Sequence, residues 1–266
     1  MKLSMPSDLS PEAVQRGLGT VVVGRSVHFY TTVKSTQDMA QAAGRAAAPN
    51  GAVFIADHQT SGRGRLGRIW QAPPGGSLLL SVLLRPSPPV YPILSMAGAL
   101  ATCLAIEEAA NLSPRLKWPN DILLRGKKVA GVLVEGEVVG GTPDFAVLGV
   151  GINVTVDPAS LEGLAYPATS LGAETGRIVS RGNLARALLR HLDRLYLEAA
   201  SGGSPYFAWR ERLATLGHAV RVDTGTEVEE GIAEDVDETG ALLVRRADGR
   251  LIVCLAGEAT LQGLAE

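Results

Sequence analysis

The densest chemistry in the chain lies between Asp57 and Ser77, in the run DHQTSGRGRLGRIWQAPPGGS. Arg63, Arg65 and Arg68 alternate with Gly62, Gly64 and Gly67, Gln59 precedes them, and the run closes on Trp70. Glycine lets a backbone approach a ligand where any Cβ would clash. Arginine supplies a permanent forked cation that matches phosphate and carboxylate oxygens. A Gly-rich loop with converging guanidinium groups is therefore an anion clamp, and Trp70 either anchors its far end or stacks on a flat ring.

Two familiar motifs share these residue types, and both fail on context. Gly62, Gly64 and Gly67 spell G-x-G-x-x-G, but a dinucleotide fingerprint needs a helix opening inside it and an acid about 20 positions on. Here the glycines run into Gln71-Ala72-Pro73-Pro74, and Arg85-Pro86-Ser87 offers no acid. An RG-type nucleic-acid tail belongs in a disordered basic segment, whereas this run lies between two apolar strands.

A second cluster, RLKWPNDILLRGKKVAGVLVEG, spans Arg115 to Gly136. Pro119-Asn120-Asp121 makes a turn between two short extended runs, Arg125-Gly126-Lys127 makes a hairpin turn, and Val129 to Val134 continues as a strand. Lys117, Asn120, Asp121 and Lys128 near Gly131 again suit a charged small molecule. A plain surface hairpin explains Lys127 but not the sequence Trp118-Pro-Asn-Asp.

The elements that must hold these clusters follow from periodicity. Ser26–Val33 is β-branched and aromatic and forms a strand. Ser35 or Thr36 then caps a helix beginning near Asp38, and a strand end leading into a helix start also presents hydroxyls and free N–H groups to a ligand. Gly51–Ala56 and Ser77–Leu84 are apolar strands buried on both faces. Ile93–Ala110 is apolar all round, a core helix. Phe145–Asn153 is a further buried strand, with Gly149 and Gly151 where something packs closely. Asn183–Ala200 is amphipathic, with Leu184, Leu188, Leu192, Leu195 and Ala199 inward, and Pro205–Leu216 forms a shorter helix. From His218 on, five short strands (219–222, 228–234, 241–245, 251–255 and 259–261) indicate a small β-barrel. Pro11–Leu18 forms at most one short helix, too little for a helix-turn-helix module.

The totals narrow the class. A chain of 266 residues with 46% apolar content holds one full-sized domain plus a small one. A net charge of −2 argues against a broad nucleic-acid or membrane footprint. Cys103 and Cys254 sit in apolar runs and give neither a disulfide framework nor a zinc spacing. Apolar runs broken by Arg, Pro or Glu point to no membrane span, and without a signal-peptide core at the N-terminus the location is cytoplasmic.

Taken together, Gly62-Arg-Gly-Arg-Leu-Gly-Arg-Ile-Trp70, Lys117-Trp-Pro-Asn-Asp121, Lys128-Val-Ala-Gly-Val-Leu-Val-Glu135 and Gly149-Val-Gly-Ile-Asn153 resemble the successive signatures of biotin protein ligases, in that family's order and spacing. The resemblance covers about residues 20 to 265. It implies an α+β fold: a mixed β-sheet backed by helices, like the catalytic domain of class II aminoacyl-tRNA synthetases (residues 1–217), plus a small C-terminal SH3-like β-barrel (residues 218–266). It implies ATP and Mg²⁺ as co-substrate and metal, with the metal-site residues unknown, and biotin activated as biotinyl-5′-AMP. The biotinyl group then passes to a lysine of the biotin carboxyl carrier protein of acetyl-CoA carboxylase or a related biotin-dependent enzyme.

The same resemblance assigns Ser35, Thr36 and Gln37 to the biotin pocket, with Gln37 where the family usually has Asn. Gln59, Gly62, Arg63, Gly64, Arg65 and Arg68 belong to the covering loop; some members carry a further arginine at the position of Leu66. Trp70 stands near the adenine, and Lys117, Asn120, Gly131, Gly151 and Asn153 complete the substrate site. Lys128 is the first catalytic cation, Arg65 the second, and Asp121 orients or deprotonates the acceptor lysine. A homodimer paired along a sheet edge is also implied. Family members that act as repressors carry an N-terminal DNA-binding module, for which this sequence has no room, so no DNA recognition is expected. The rival readings are a lipoate or octanoyl transferase, which shares the fold, and a biotin sensor that transfers to no carrier.

Overall fold

Strands of β-branched and leucine-rich sequence pair into the sheet that carries the site. The structure is a computed structural model and describes residues 8–161 and 166–261. Its strands are β1 (Val27–Val33), β2 (Val53–Gln59), β3 (Gly62–Arg63), β4 (Ile69–Trp70), β5 (Ser77–Leu84), β6 (Arg115–Lys117), β7 (Asp121–Leu124), β8 (Lys127–Val139) and β9 (Thr142–Asn153). Seven of them form one mixed sheet in the order β1-β2-β5-β9-β8-β7-β6, with β1 and β2 parallel and the other neighbours antiparallel. The remaining two, β3 and β4, make a separate two-stranded ribbon. The run read as a loop is thus a small hairpin, turning through Leu66 (φ 54°) and Gly67 (φ 74°).

Helix α1 is Pro11–Gln15, and α2 (Thr36–Arg45) is capped by Ser35, whose hydroxyl accepts from the Gln37 N–H at 3.2 Å. Helix α3 (Leu94–Ala110) is buried around nearly its whole circumference. Counting the turn before it, Tyr91–Ala110 is long and apolar enough by composition to cross a membrane, which corrects the expectation that no segment is. Here it packs against β8, β9 and α5 (Arg181–Ala200). The short α4 (Leu171–Thr175) lies between them in sequence, and α6 is confined to Tyr206–Arg210. Pro205–Leu216 is therefore not one helix. After Arg210 the chain pairs with the sheet, Leu213 bridging Leu116 and Ala214 N–H donating to Leu116 O, and these tertiary bonds replace the intrahelical ones.

The C-terminal strands are β10 (Ala219–Asp223), β11 (Val228–Val236), β12 (Leu242–Arg245), β13 (Leu251–Cys254) and β14 (Glu258–Leu261). They form an antiparallel sheet in the order β13-β12-β11-β10-β14. Among the described residues the end strands β13 and β14 are not paired with each other. Trp118, 1% exposed, joins it to the main sheet: its indole N–H donates to Gly240 O at 2.9 Å and its backbone N–H to Thr215 Oγ1 at 2.8 Å. That anchoring is why Trp118-Pro-Asn-Asp is no solvated turn. Cys103 and Cys254 are free and buried, and burial pushes the Cys103 thiol up to about 12.

On α5, the 5%-exposed Asp193 carboxylate accepts the backbone N–H groups of Val21, Val22 and Val23 at 2.9, 2.8 and 2.8 Å. Those donors have no strand partners, so the carboxylate holds the segment entering β1. Asp193→Ala is expected to lower stability by about 2–5 kcal/mol through the orphaned donors, read as a shift in the urea midpoint at unchanged slope.

Candidate active site

The two glycine-marked strands meet in the middle of the sheet. Gly131 on β8 pairs with Gly151 on β9, and the Trp70 indole lies across both. A Cβ on Gly151 would stand 2.7 Å from the indole, and one on Gly131 3.3 Å. The missing side chains make a floor on which a flat ring rests. Over it the sheet, the ribbon, the β6–β7 turn and the residues before α4 enclose a cavity of about 480 Å³, within the range of small-molecule sites.

Ser35, Thr36, Gln37, Gln59, Arg63, Gly64, Arg65, Arg68, Trp70, Lys117, Asn120, Asp121, Lys128, Gly131, Gly151 and Asn153 all line this one cavity. Gly62 does not. Its Cα lies against the Trp70 backbone, where a Cβ would meet Trp70 O at 2.6 Å, so its work is to let β3 and β4 pair. The cations from the ribbon and from the β6–β8 hairpins therefore converge on one space.

Their partners divide the cations into two groups. Arg63 is held by Asp38 at 2.7 Å and Glu135 at 3.3 Å, tying the ribbon to α2 and β8. Arg68 pairs with Glu258 of the C-terminal sheet. Arg65 has no carboxylate within ion-pair distance among the described residues; its nearest polar contact is Asn120 Oδ1, at 3.5 Å. Asn120 itself is fixed by donating to Val132 O at 2.6 Å. Burial holds the Arg65 guanidinium below its ordinary value, with Asp121 and Glu258 opposing that effect. Of the three ribbon arginines, Arg65 is the one free to meet an incoming anion.

On β8, Lys128 Nζ lies 2.6 Å from Asp121 Oδ1 and 5.7 Å from the Trp70 ring. Lys117 is 4% exposed, with Nζ 3.9 Å from Asp121 Oδ2 and 4.7 Å from the Tyr166 ring. Burial lowers its proton affinity, and the Asp121 charge works against that loss. Arg65, Lys117 and Lys128 thus face the single carboxylate of Asp121, while Arg68 and Glu258 offset each other. The surplus is positive and partly desolvated, the setting in which a cation acts most strongly on an anion. The backbone of Lys128 is pinned as well: its N–H donates to Pro167 O and its C=O accepts from Thr169 N–H, each at 2.8 Å.

Asn153 has a different position from the cations. Its amide donates to Thr169 O at 3.1 Å and accepts from Ser77 Oγ at 3.3 Å, so it fastens the segment leading into α4 to the sheet. Polar groups of the lining that lay outside the sequence expectations include Ser81, Tyr166 and Glu258, with Gly257 beside the last. Ser81 was signalled by a hydroxyl inside the otherwise apolar run Leu78–Leu84; nothing local marks Tyr166, Gly257 or Glu258. The Tyr166 hydroxyl and the Trp70 indole N–H are buried without hydrogen-bond partners among the described residues, leaving two donors in the lining.

Comparison with known proteins agrees with this geometry. Residues 29–153 match the Biotin/lipoate A/B protein ligase family, and residues 215–261 match the Biotin protein ligase C terminal domain. The chain is 35% identical to the biotin–[acetyl-CoA-carboxylase] ligase of Mycobacterium tuberculosis, over 94% of this chain and 96% of that protein. It is 32% identical to the bifunctional ligase/repressor BirA of Bacillus subtilis, over 93% of this chain and 78% of that one. A solved biotin protein ligase from Aquifex aeolicus, in complex with biotin and ATP, superposes with a TM-score of 0.75 at 29% identity, covering 90% of this chain and 99% of that one. Likeness along nearly the full length of both sequence and fold, with each of the family's signature segments placed around one cationic cavity, leads to one conclusion: the chain belongs to the biotin protein ligase family, enzymes that ligate biotin to protein.

Proposed function

We propose that the cavity activates biotin with ATP as biotinyl-5′-AMP and that the acceptor is a lysine on the biotin carboxyl carrier domain of acetyl-CoA carboxylase or a related biotin-dependent enzyme. The observation that carries this reading is the convergence of Arg65 and Lys128 on one space above the glycine floor. In the first step a biotin carboxylate oxygen attacks the α-phosphorus of ATP, the bond to the bridging oxygen breaks, and pyrophosphate leaves. Two anions are being brought together, so fixed cations must offset charge on the five-coordinate phosphorus. Lys128 does this from β8 and Arg65 from the ribbon, and Lys117, which shares Asp121 with Lys128, adds its charge. In the second step the neutral acceptor amine attacks the acyl carbon, AMP departs with the bonding pair, and the amine proton is lost.

The acyl-adenylate is open to hydrolysis, so the ribbon over the cavity protects it by excluding water. Trp70 on the Gly131–Gly151 floor supplies a flat apolar surface beside the adenine. The strands after His218 act as a second unit that closes the rim through Gly257 and Glu258. Among the described residues no group of three or more His, Cys, Asp or Glu side chains is arranged to hold a metal. Asp121 and Glu258 are already paired with cations. These residues do not make a resident metal site, and magnesium fits this reading as an ion carried in on the triphosphate.

Asp121 holds Lys128 Nζ and presents a carboxylate to the acceptor lysine. Asp121→Asn is expected to slow transfer to the carrier by about tenfold or more; transfer at the wild-type rate at every pH would remove that role. The overall reading is tested by incubating the protein with ATP, Mg²⁺, biotin and a carrier domain. Mass spectrometry should find biotinyl-AMP first and then the carrier heavier by one biotinyl group. An adduct of lipoate or octanoate in its place contradicts the choice of acid, and adenylate without transfer contradicts the acceptor.

A further inference from the structure

Of the 25 Lys and Arg residues in the chain, the lysines are Lys2, Lys34, Lys117, Lys127 and Lys128. Two of them, Lys117 and Lys128, line the cavity in which the proposed function forms an acyl-adenylate. That placement carries a hazard. An acyl-adenylate acylates any amine that reaches its acyl carbon with a free lone pair. A guanidinium stays protonated and is no nucleophile. Arg63, Arg65 and Arg68 are therefore inert beside the anhydride, and the two lysines are inert only while each keeps its third proton.

Asp121 lies between them. Its Oδ1 is 2.6 Å from Lys128 Nζ and its Oδ2 is 3.9 Å from Lys117 Nζ, so each carboxylate oxygen faces one ammonium. Among the described residues no other carboxylate is within ion-pair distance of either lysine. The remaining charges that face Lys117 are Glu258, which favours its proton, and Lys128 and Arg68, which oppose it. Glu258 is itself paired with Arg68, and Tyr166 offers Lys117 a ring face 4.7 Å away. Lys117 is 4% exposed, and its burial also disfavours the charged form. With Asp121 neutral, the balance on Lys117 turns toward the free amine.

We propose that Asp121 keeps the enzyme from acylating itself: by holding Lys117 and Lys128 as ammonium ions it withholds their lone pairs from the acyl-adenylate, and these two lysines are the self-modification sites it guards. The inference rests on the biotin reading above. Here Asp121 acts through its neighbours, as a positioning residue, in the interval when the adenylate waits in the cavity and no acceptor has arrived. In the reaction it prevents, a neutral lysine nitrogen attacks the acyl carbon. The bond from that carbon to the phosphate oxygen breaks, AMP leaves with the bonding pair, and the nitrogen gives its proton to water. The amide formed has no charge, so each such event removes a cation that adenylation uses.

Synthetic biotinyl-AMP, supplied without ATP, biotin or carrier, takes adenylation and transfer out of the comparison. Peptide mapping by mass spectrometry then reads the biotinyl group at each lysine. Near neutral pH the wild type should carry label on the exposed Lys34 and Lys127 and none on Lys117 or Lys128. An opposite charge at this range changes the neutral fraction of an amine by about ten- to a thousandfold. Asp121→Asn should therefore raise label at Lys117 or Lys128 by at least about tenfold and leave Lys34 and Lys127 unchanged. Site label no higher than in wild type overturns the inference. So does a rise shared equally by all four lysines, which is the mark of a loosened fold. If the variant fails to fold, the wild type decides: label should appear at Lys117 or Lys128 as pH rises from about 7 to about 10 and the ammonium protons are lost, and its absence at the upper end overturns the inference. A wild-type protein that passes no biotinyl group from biotinyl-AMP to a carrier overturns the functional reading itself, a result distinct from the label map.

Discussion

Lys128→Ala is expected to lower the rate of adenylate formation by about a hundred- to a thousandfold, the loss typical when one preorganised charge stabiliser is removed from a water-excluded site. Two effects combine. The cation above the glycine floor is gone, and Asp121, which it holds at 2.6 Å, is left with Lys117 at 3.9 Å as its remaining ion-pair partner among the described residues. A less compensated carboxylate then faces the incoming phosphates. The end of the cavity lined by Thr36, Gln37, Gln59 and Ser81, where the proposed function seats biotin, is untouched, so the loss should fall on kcat more than on the KM for biotin. Lys128→Arg restores charge but not the compact ammonium geometry, and should recover part of the rate. Pyrophosphate–ATP exchange dependent on biotin measures the step. Because the Lys128 side chain is 29% exposed and its backbone is pinned on both sides, the variant should unfold close to wild type.

Arg65→Ala is expected to slow the same step by about ten- to a hundredfold and, in addition, to uncouple it from transfer. Its guanidinium carries no carboxylate partner within ion-pair distance among the described residues, and burial has already lowered its proton affinity. It is held partly unsatisfied in the position where an anion would pair with it. Without it the ribbon still docks through Arg63 to Asp38 and Glu135 and through Arg68 to Glu258, but the acyl-phosphate loses its tie to the ribbon. AMP released per biotin transferred should rise several-fold above the wild-type value near one. Arg63→Ala should give a different result: it loosens the ribbon from α2 and β8 and raises KM. Equal AMP and transferred biotin in Arg65→Ala would show that Arg65 does not hold the adenylate.

Much of this arrangement was legible in the chain because its signals are local. Alternating Gly and Arg, the Trp-Pro-Asn-Asp turn and the small residues at Gly131, Gly149 and Gly151 each report a constraint that a few neighbouring residues satisfy. The strand Ser77–Leu84 was bounded to the residue by its apolar run and the proline that follows. What stayed hidden depends on distant partners. Nothing near Glu258 shows that it meets Arg68, and nothing near Asp38 or Glu135 shows that they share Arg63. The three ribbon arginines look equivalent in sequence, yet two are held by carboxylates and one is not. Periodicity overextended the helix from Pro205 because Leu213 and Leu216 fit a helical face, whereas pairing with Leu116 captures that backbone. Gln37 could be noticed as a departure, but its neighbours Val147, Ser81 and the bare Cα of Gly149 are brought together only by the packed sheet.

The structure of the protein crystallised with a non-hydrolysable biotinyl-AMP analogue tests the convergence most directly. The bridging phosphate should lie within hydrogen-bond reach of both Lys128 Nζ and the Arg65 guanidinium, above the Gly131–Gly151 floor, with the ureido group against Thr36 and Gln59. An analogue seated elsewhere, or a phosphate that touches neither cation, contradicts the assignment.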